Sequence, residues 1–297
     1  MTDYGHDLSF GVSLDPGVHR LSESLRMAAV ADENGIDYLA VQDHPYQPGH
    51  LETLTWITHV AAVTRRVSLL TDVADLQLRP PAMLAKAAAS LGVLSGGRLV
   101  LGVGGGGFAD AITSMGGGRR TGAQMVAYTE ESLHILRAAL AGGVVRLRSE
   151  HHDVEGYQAG PVPPSPVPLW LGSMKPKMLG VTGRAADGWI SPMNIYVAPD
   201  EVPGKQKLID EAARAAGRDP AAIRRAYNVL GTIGDVRGGH GLAGDVRLWT
   251  DTLTRWALEL GFDTFIFWPV SDHLAQLEVF AAEVVPAVRE QVARGRR

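Results

Sequence analysis

The chain of 297 residues has no cysteine, which removes disulfides, thiolate catalysis and cysteine metal sites together. It has no uninterrupted apolar run of the roughly 18 residues a membrane helix needs, so no membrane partner is expected. It has no basic excess. Lys and Arg number 28 against 32 Asp and Glu, a net charge of −4, and nothing points to nucleic acid. The opening MTDYGHDLSF has no basic region followed by an apolar segment, so no signal peptide is expected. With no disulfides either, the expectation is a cytoplasmic protein. Three catalytic signatures are missing as well. There is no Gly-x-Ser-x-Gly elbow, which argues against a serine hydrolase. There is no His-x-His pair at the first strand end, where Ser13 and Asp15 stand instead, so no metal site is expected. The glycines of 102–107 follow the fourth strand and lack a ribose-binding acid about 20 residues on, unlike a dinucleotide fingerprint.

What is present is a regular alternation. Hydrophobic residues make up 45% of the chain, enough for a sizeable core. Strand patterns fall at 8–14, 38–41, 67–73, 98–103, 169–171, 188–191, 223–233 and 264–268. Helical patterns fall between them at 22–34, 51–63, 82–94, 124–141, 175–185, 199–216 and 245–260, and a closing helix at 273–294. Eight strand–helix units in one chain match a (β/α)8 TIM barrel, with a doubly wound sheet as the alternative. The rhythm breaks between strands four and five. The expectation is a single domain over 1–297 with an insertion over about 107–167, containing a hairpin and a proline-rich connector. His151 and His152 fall in that hairpin and read as solvated.

The stretch 79–107 carries the most information. Pro80 and Pro81 open a helix, Gly96 and Gly97 end it, and an apolar strand runs into Gly104, Gly105, Gly106 and Gly107. Bare backbone at a strand end lets a ligand approach the main chain, and a barrel builds its site at that end. The other strand ends supply Asp43, His44 and Tyr46, then Thr71, Asp72 and Val73. Further on come Phe108, Gly172, Ser173, Met174 and Lys175, then Pro192, Met193 and Asn194, and finally Trp268. The set is rich in glycine, aromatic and small polar groups. It suits a flat, partly apolar cofactor with an anionic tail.

QDH at 42–44, TDV at 71–73, LAKAAASLGVLSGGRLVLGVGGG at 84–106, PLWLGS at 168–173 and GRAADGWI at 183–190 together resemble the bacterial luciferase-like flavin-dependent oxidoreductases. The resemblance runs in order over about 10–268. It implies a (β/α)8 barrel holding reduced FMN, or the deazaflavin coenzyme F-420, across its C-terminal face. It implies a non-proline cis peptide behind the ring at the end of strand three, here Asp72–Val73, with Thr71 beside it. It places the cofactor phosphate among Gly172, Ser173, Met174 and Gly104 to Gly107. It makes His44 a candidate catalytic residue, with Asp43 beside it as the second, and the strand-end residues Tyr46, Phe108 and Trp268 are the candidates for the substrate pocket.

The chain departs from the family pattern at several places. Asp72 stands where a small residue is usual, and Pro80 where histidine is frequent. Phe108 and Asp110 replace the Trp and Glu of many deazaflavin members. The reading is a monooxygenase using reduced FMN and oxygen on a small organic molecule, with a separate flavin reductase as a partner. The alternatives are an F-420-dependent hydride-transfer oxidoreductase and a non-catalytic flavin-binding protein. F-420 has the longer acidic tail, so basic groups at the rim favour it; Arg119, Arg120 and Lys175 are the candidates. Arg79 reads as a structural ion-pair partner. A homodimer through 51–63 or 83–94 is expected by resemblance.

Overall fold

Eight parallel strands close on themselves in the computed structural model, which describes residues 3–235 and 240–297. They are β1 (Ser9–Leu14), β2 (Tyr38–Val41), β3 (Ser68–Thr71), β4 (Leu99–Gly104), β5 (Leu169–Gly172), β6 (Gly188–Ser191), β7 (Arg224–Ile233) and β8 (Thr264–Pro269). Closure is explicit in the register: Ser9 of β1 pairs with Thr264 of β8, and Arg225 of β7 with Trp189 of β6. A doubly wound sheet would leave two open edges, so the barrel reading holds and that alternative does not. All six residues of β4 are buried, as a strand covered on both faces requires.

One inward layer is made by Ala40, Leu70, Val100, Trp170, Ile190, Ala226 and Ile266, one from each strand except β1. In β1 the space is already taken. A Cβ on Gly11 would lie 2.5 Å from Ile266 Cδ1 and 2.9 Å from Tyr38 Cβ, so only glycine fits there. This layer plugs the barrel, and whatever lies above it faces the C-terminal end of the strands.

The surrounding helices are α1 (Leu21–Glu33), α2 (Thr53–Val63), α3 (Pro81–Leu94), α4 (Gly122–Ala141), α5 (Pro176–Ala185), α6 (Val202–Ala215) and α7 (Val246–Leu260). The closing segment is α8 (His273–Val279), a π-helical turn over Phe280–Val284 and α9 (Val285–Gly295). Helix α3 begins with Pro81 in its first turn and ends at Gly96 and Gly97, whose φ values are 69° and 89°.

The span 107–167 holds both the helix read at 124–141 and the segments outside the ring. Helix α4 packs between α3 and α5, so it is the barrel's own fourth helix. What lies outside the ring is the short helix Ala109–Ser114 and the antiparallel hairpin of Gly143–Arg148 with Asp153–Ala159. His152 is not simply solvated. Its Nε2 lies 3.1 Å from Ser132 Oγ, and its ring sits 4.5 Å from that of Tyr128, so it pins the hairpin onto α4. The Asp72–Val73 peptide is cis, as the resemblance implies.

Candidate functional site

The loops at the C-terminal end of the strands enclose a cavity of about 850 Å³. That lies within the range of about 300–1,000 Å³ typical of cofactor and ligand sites. Its wall includes Asp43, His44, Tyr46, Asp72, Val73, Gly104 to Gly107, Phe108, Gly172, Ser173, Met174 and Trp268, which far-apart sequence positions bring to one place. Thr71 is the exception and is corrected. It is wholly buried below the cavity, where its hydroxyl donates to Gly102 O at 2.7 Å. Gly102 must be glycine for the same reason, since a Cβ there would lie 2.0 Å from Thr71 O.

The His44 loop follows β2 and is held from below. Asp43 has a fully buried side chain and forms an ion pair with Arg79, whose Nη2 donates to Asp43 Oδ1 at 3.0 Å. Arg79 also reaches Glu52 at 2.6 Å, and Asp75 N donates to Asp43 Oδ2 at 2.8 Å. Arg79 is thus the structural cation the sequence suggests. With Asp43 fixed, His44 turns towards the cavity. Its Nδ1 lies 2.6 Å from Tyr46 Oη, and the Phe108 ring meets its own ring edge-on at 5.3 Å.

Burial lowers the His44 pKa below the usual 6.5, against the opposing pull of Asp43. The imidazole is therefore neutral at pH 7, and Nε2 is the nitrogen Tyr46 does not engage. Burial, then the carboxylates of Asp75 and Asp43, push the Tyr46 phenol up to about 12, so it keeps its proton. Tyr46 and His44 can therefore exchange donor and acceptor roles. With Tyr46 donating to Nδ1, Nε2 carries a proton to give. With Nδ1 donating to Tyr46, Nε2 has a lone pair to accept one.

The floor is built from three side chains that sequence reading did not connect. Asn228 Nδ2 donates to Asp72 Oδ1 at 3.2 Å, and Trp268 Nε1 donates to Asn228 Oδ1 at 3.0 Å. Asp72 Oδ2 is buried without a partner. Burial raises the Asp72 pKa from 3.8 to about 6, with the Asn228 bond opposing. Because the folded-state value is raised, this carboxyl favours folding below pH 3.8 and opposes it progressively as pH rises to about 6. A shift of that size corresponds to about 3 kcal/mol above pH 6. Asp72→Asn should therefore raise stability at pH 7 by about 1–3 kcal/mol and change it little at pH 3.5, as read by denaturant midpoints. The same gain at both pH values would mean that this carboxyl titrates normally.

The opposite wall is bare backbone and small groups. A Cβ on Gly104 would sit 2.6 Å from Val73 Cγ2, and one on Gly172 would sit 3.1 Å from both Val73 methyls. The two glycines are what let Val73 project between them into the wall, and on Gly107 a Cβ would meet nothing. Ser173 lines the cavity, but its hydroxyl is shared with Thr182 Oγ1 at 2.8 Å and faces α5. What the end of β5 presents to an anion is thus the start of α5 and two ammonium groups, Lys175 and Lys177. Of the other rim cations, Arg119 pairs with Asp110. Arg120 donates to Gln77 Oε1 at 2.7 Å and lies 3.9 Å over the Tyr128 ring. Asp110 itself is exposed. No cluster of three or more metal-ligating side chains exists among the described residues.

The model of the luciferase-like monooxygenase family matches residues 4–237. The F-420-dependent glucose-6-phosphate dehydrogenase of Gordonia bronchialis is 31% identical over 225 residues, covering 70% of this chain and 63% of the relative. The chain therefore spans less than two thirds of that relative's length. The F-420-dependent tetrahydromethanopterin reductase from Methanopyrus kandleri superposes with a TM-score of 0.83 at 18% identity, covering 95% of this chain and 99% of that one. A monooxygenase from Streptomyces bottropensis superposes at 0.77 with 21% identity, covering 94% and 99%. At these identities the two structures share the fold.

Proposed function

Because the chain belongs to the luciferase-like monooxygenase family, we propose that it is an F-420-dependent oxidoreductase moving a hydride between that coenzyme and a small organic substrate. The observation that carries this reading is the pair of ammonium groups, Lys175 and Lys177, at the cavity wall beside the end of β5. A coenzyme with an acidic tail needs cations there, and FMN, with a single phosphate, needs fewer. Support comes also from the F-420 dependence named for relatives at about one third identity. The sequence-based preference for reduced FMN and oxygen gives way to this alternative, and with it the need for a separate flavin reductase.

The residues fit the group. The glycine-lined wall admits a flat ring, Val73 backs it, and the start of α5 with the two lysines takes the anionic end. When bound, F-420 supplies a carbon centre that takes up or releases a hydride without oxygen chemistry. The chain supplies the rest. His44 moves the substrate proton through Nε2, Tyr46 fixes or resets its tautomer, and Asp43 with Arg79 holds the loop in place. Phe108, Met125 and Met174 line the wall and displace water from the reacting atoms.

Replacing both lysines with glutamate should weaken F-420 binding by about tenfold or more at low ionic strength, and FMN binding less. Equal losses for the two cofactors would place the acidic tail elsewhere. We also propose a homodimer through α2 and α3, where Val63, Met83, Val93 and Leu94 are exposed. Sedimentation at micromolar concentration reads this directly, and a monomer would refute it.

A further inference from the structure

The cavity and its rim share an unusual composition. Phe108 is 58% exposed, Tyr196 65% and Met174 36%, and all three line the cavity. Met115, Ile195 and Val270, in the loops after β4, β6 and β8, are exposed by 50%, 47% and 43% on the same end of the barrel. Large apolar side chains from the loops after three different strands, Phe108, Met174 and Tyr196, thus line one opening, with Met115, Ile195 and Val270 exposed on the same end of the barrel. Such clustering marks a binding surface, whereas scattered exposed apolar residues are ordinary. Inside, four of the chain's eight methionines line the wall: Met125, Met174, Met178 and Met193. Methionine is flexible and polarisable and adapts to apolar shapes that vary.

The charges are sorted as well. Among the described residues, the only cations lining the cavity are Lys175 and Lys177, side by side at the start of α5. The His44 side carries carboxyl groups instead, Asp43 and Asp75, and the floor carries Asp72. Only Asp43 among these is matched by a guanidinium, that of Arg79. A phosphorylated sugar with its reacting carbon at His44 would bring a second anion into a site whose only lining cations serve the coenzyme. Away from those carboxyls, hydroxyl groups facing Met125, Met174, Met193 and Phe108 would meet thioethers and a ring and find no hydrogen bond there.

We propose that the substrate is a neutral molecule with an extended apolar body carrying one alcohol or the corresponding carbonyl group, and that sugar phosphates are excluded. This rests on the F-420 reading for its redox partner. In the oxidising direction the carbinol C–H bond breaks and its hydride, with both electrons, passes to oxidised F-420. The O–H proton passes to His44 Nε2, and the C=O bond forms. The reverse sequence consumes reduced F-420 and returns the alcohol. The apolar body lies along Phe108, Met193 and Tyr196 towards the rim.

The test is a homologous series of neutral secondary alcohols, from 2-butanol to 2-decanol, alongside glucose 6-phosphate. Binding to the protein alone is read from tryptophan fluorescence, since Trp268 forms part of the floor. Turnover is read from the loss of oxidised F-420. Affinity should rise by about fourfold per fully buried methylene until the cavity is filled, and glucose 6-phosphate should neither bind nor react. Phe108→Ser with Tyr196→Ser, both at exposed positions, should flatten the series. A flat series in the unaltered protein, or turnover of glucose 6-phosphate in preference to the alcohols, would overturn the proposal. Failure of F-420 to bind would overturn the cofactor reading separately, because the fluorescence series does not require the coenzyme.

Discussion

Replacing His44 with alanine should lower turnover by about 10²–10⁴-fold, the usual worth of a positioned proton carrier, while changing F-420 affinity only a few-fold. The imidazole stands in the cavity wall with Nδ1 held by Tyr46, and the cations proposed to take the coenzyme's anionic end, Lys175 and Lys177, line the cavity from α5. Chemistry and cofactor binding therefore separate in space and should separate in measurement. The pH profile gives an independent check. Burial lowers the His44 pKa, so in the alcohol-oxidising direction activity should fall on the acid side with a midpoint below 6.5. Tyr46→Phe removes the partner of Nδ1 and should move that midpoint while leaving cofactor affinity in place. Equal losses of affinity and turnover in His44→Ala would make the residue a structural part of the loop.

The second large effect is on stability. Arg79→Ala leaves the Asp43 carboxylate with no cation in a place where its side chain has no solvent exposure. Removing one member of a buried ion pair costs about 3–5 kcal/mol, because the remaining charge is desolvated and unmatched. Asp75 N still donates to Asp43 Oδ2, so the cost should lie towards the lower end of that range. The same change frees the His44 loop, so activity should fall even under conditions where the variant is folded. Chemical denaturation with matched single-turnover rates separates the two losses. A variant as stable as the parent would show that Glu52 and solvent, rather than Asp43, account for the placement of Arg79.

The barrel was readable from sequence because most strands are short apolar runs followed by turn chemistry and then a helical pattern. The run 99–104 into the glycines is the clearest case, since a strand buried on both faces has no polar alternation to blur it. Residues at or just beyond strand ends, such as His44, Asp72, Phe108 and Trp268, could be assigned to the active face by counting alone. Thr71 could not, because it is the last residue before the cavity and points at Gly102 O instead. Ser173 sits where expected, but its hydroxyl is shared with Thr182 nine residues away, a contact that only the packing of α5 on β5 creates. Asn228 gave no local signal, being a polar residue inside the long strand β7. It joins the floor only because β7 and β3 face each other across the barrel. Met125 and Val126 line the wall from α4, and their roles depend on where that helix lies rather than on its periodicity. The helix itself was legible at 124–141 from its periodicity.

The central claim is that this cavity binds F-420 and uses it for hydride transfer. Titrating the purified protein with F-420 and with FMN, each oxidised and reduced, while following tryptophan fluorescence, tests it most directly. The account predicts saturable F-420 binding at least tenfold tighter than FMN in the same redox state, with an advantage that shrinks as salt screens Lys175 and Lys177. Tight binding of reduced FMN with none of F-420 would contradict it and return the chain to oxygen-dependent chemistry.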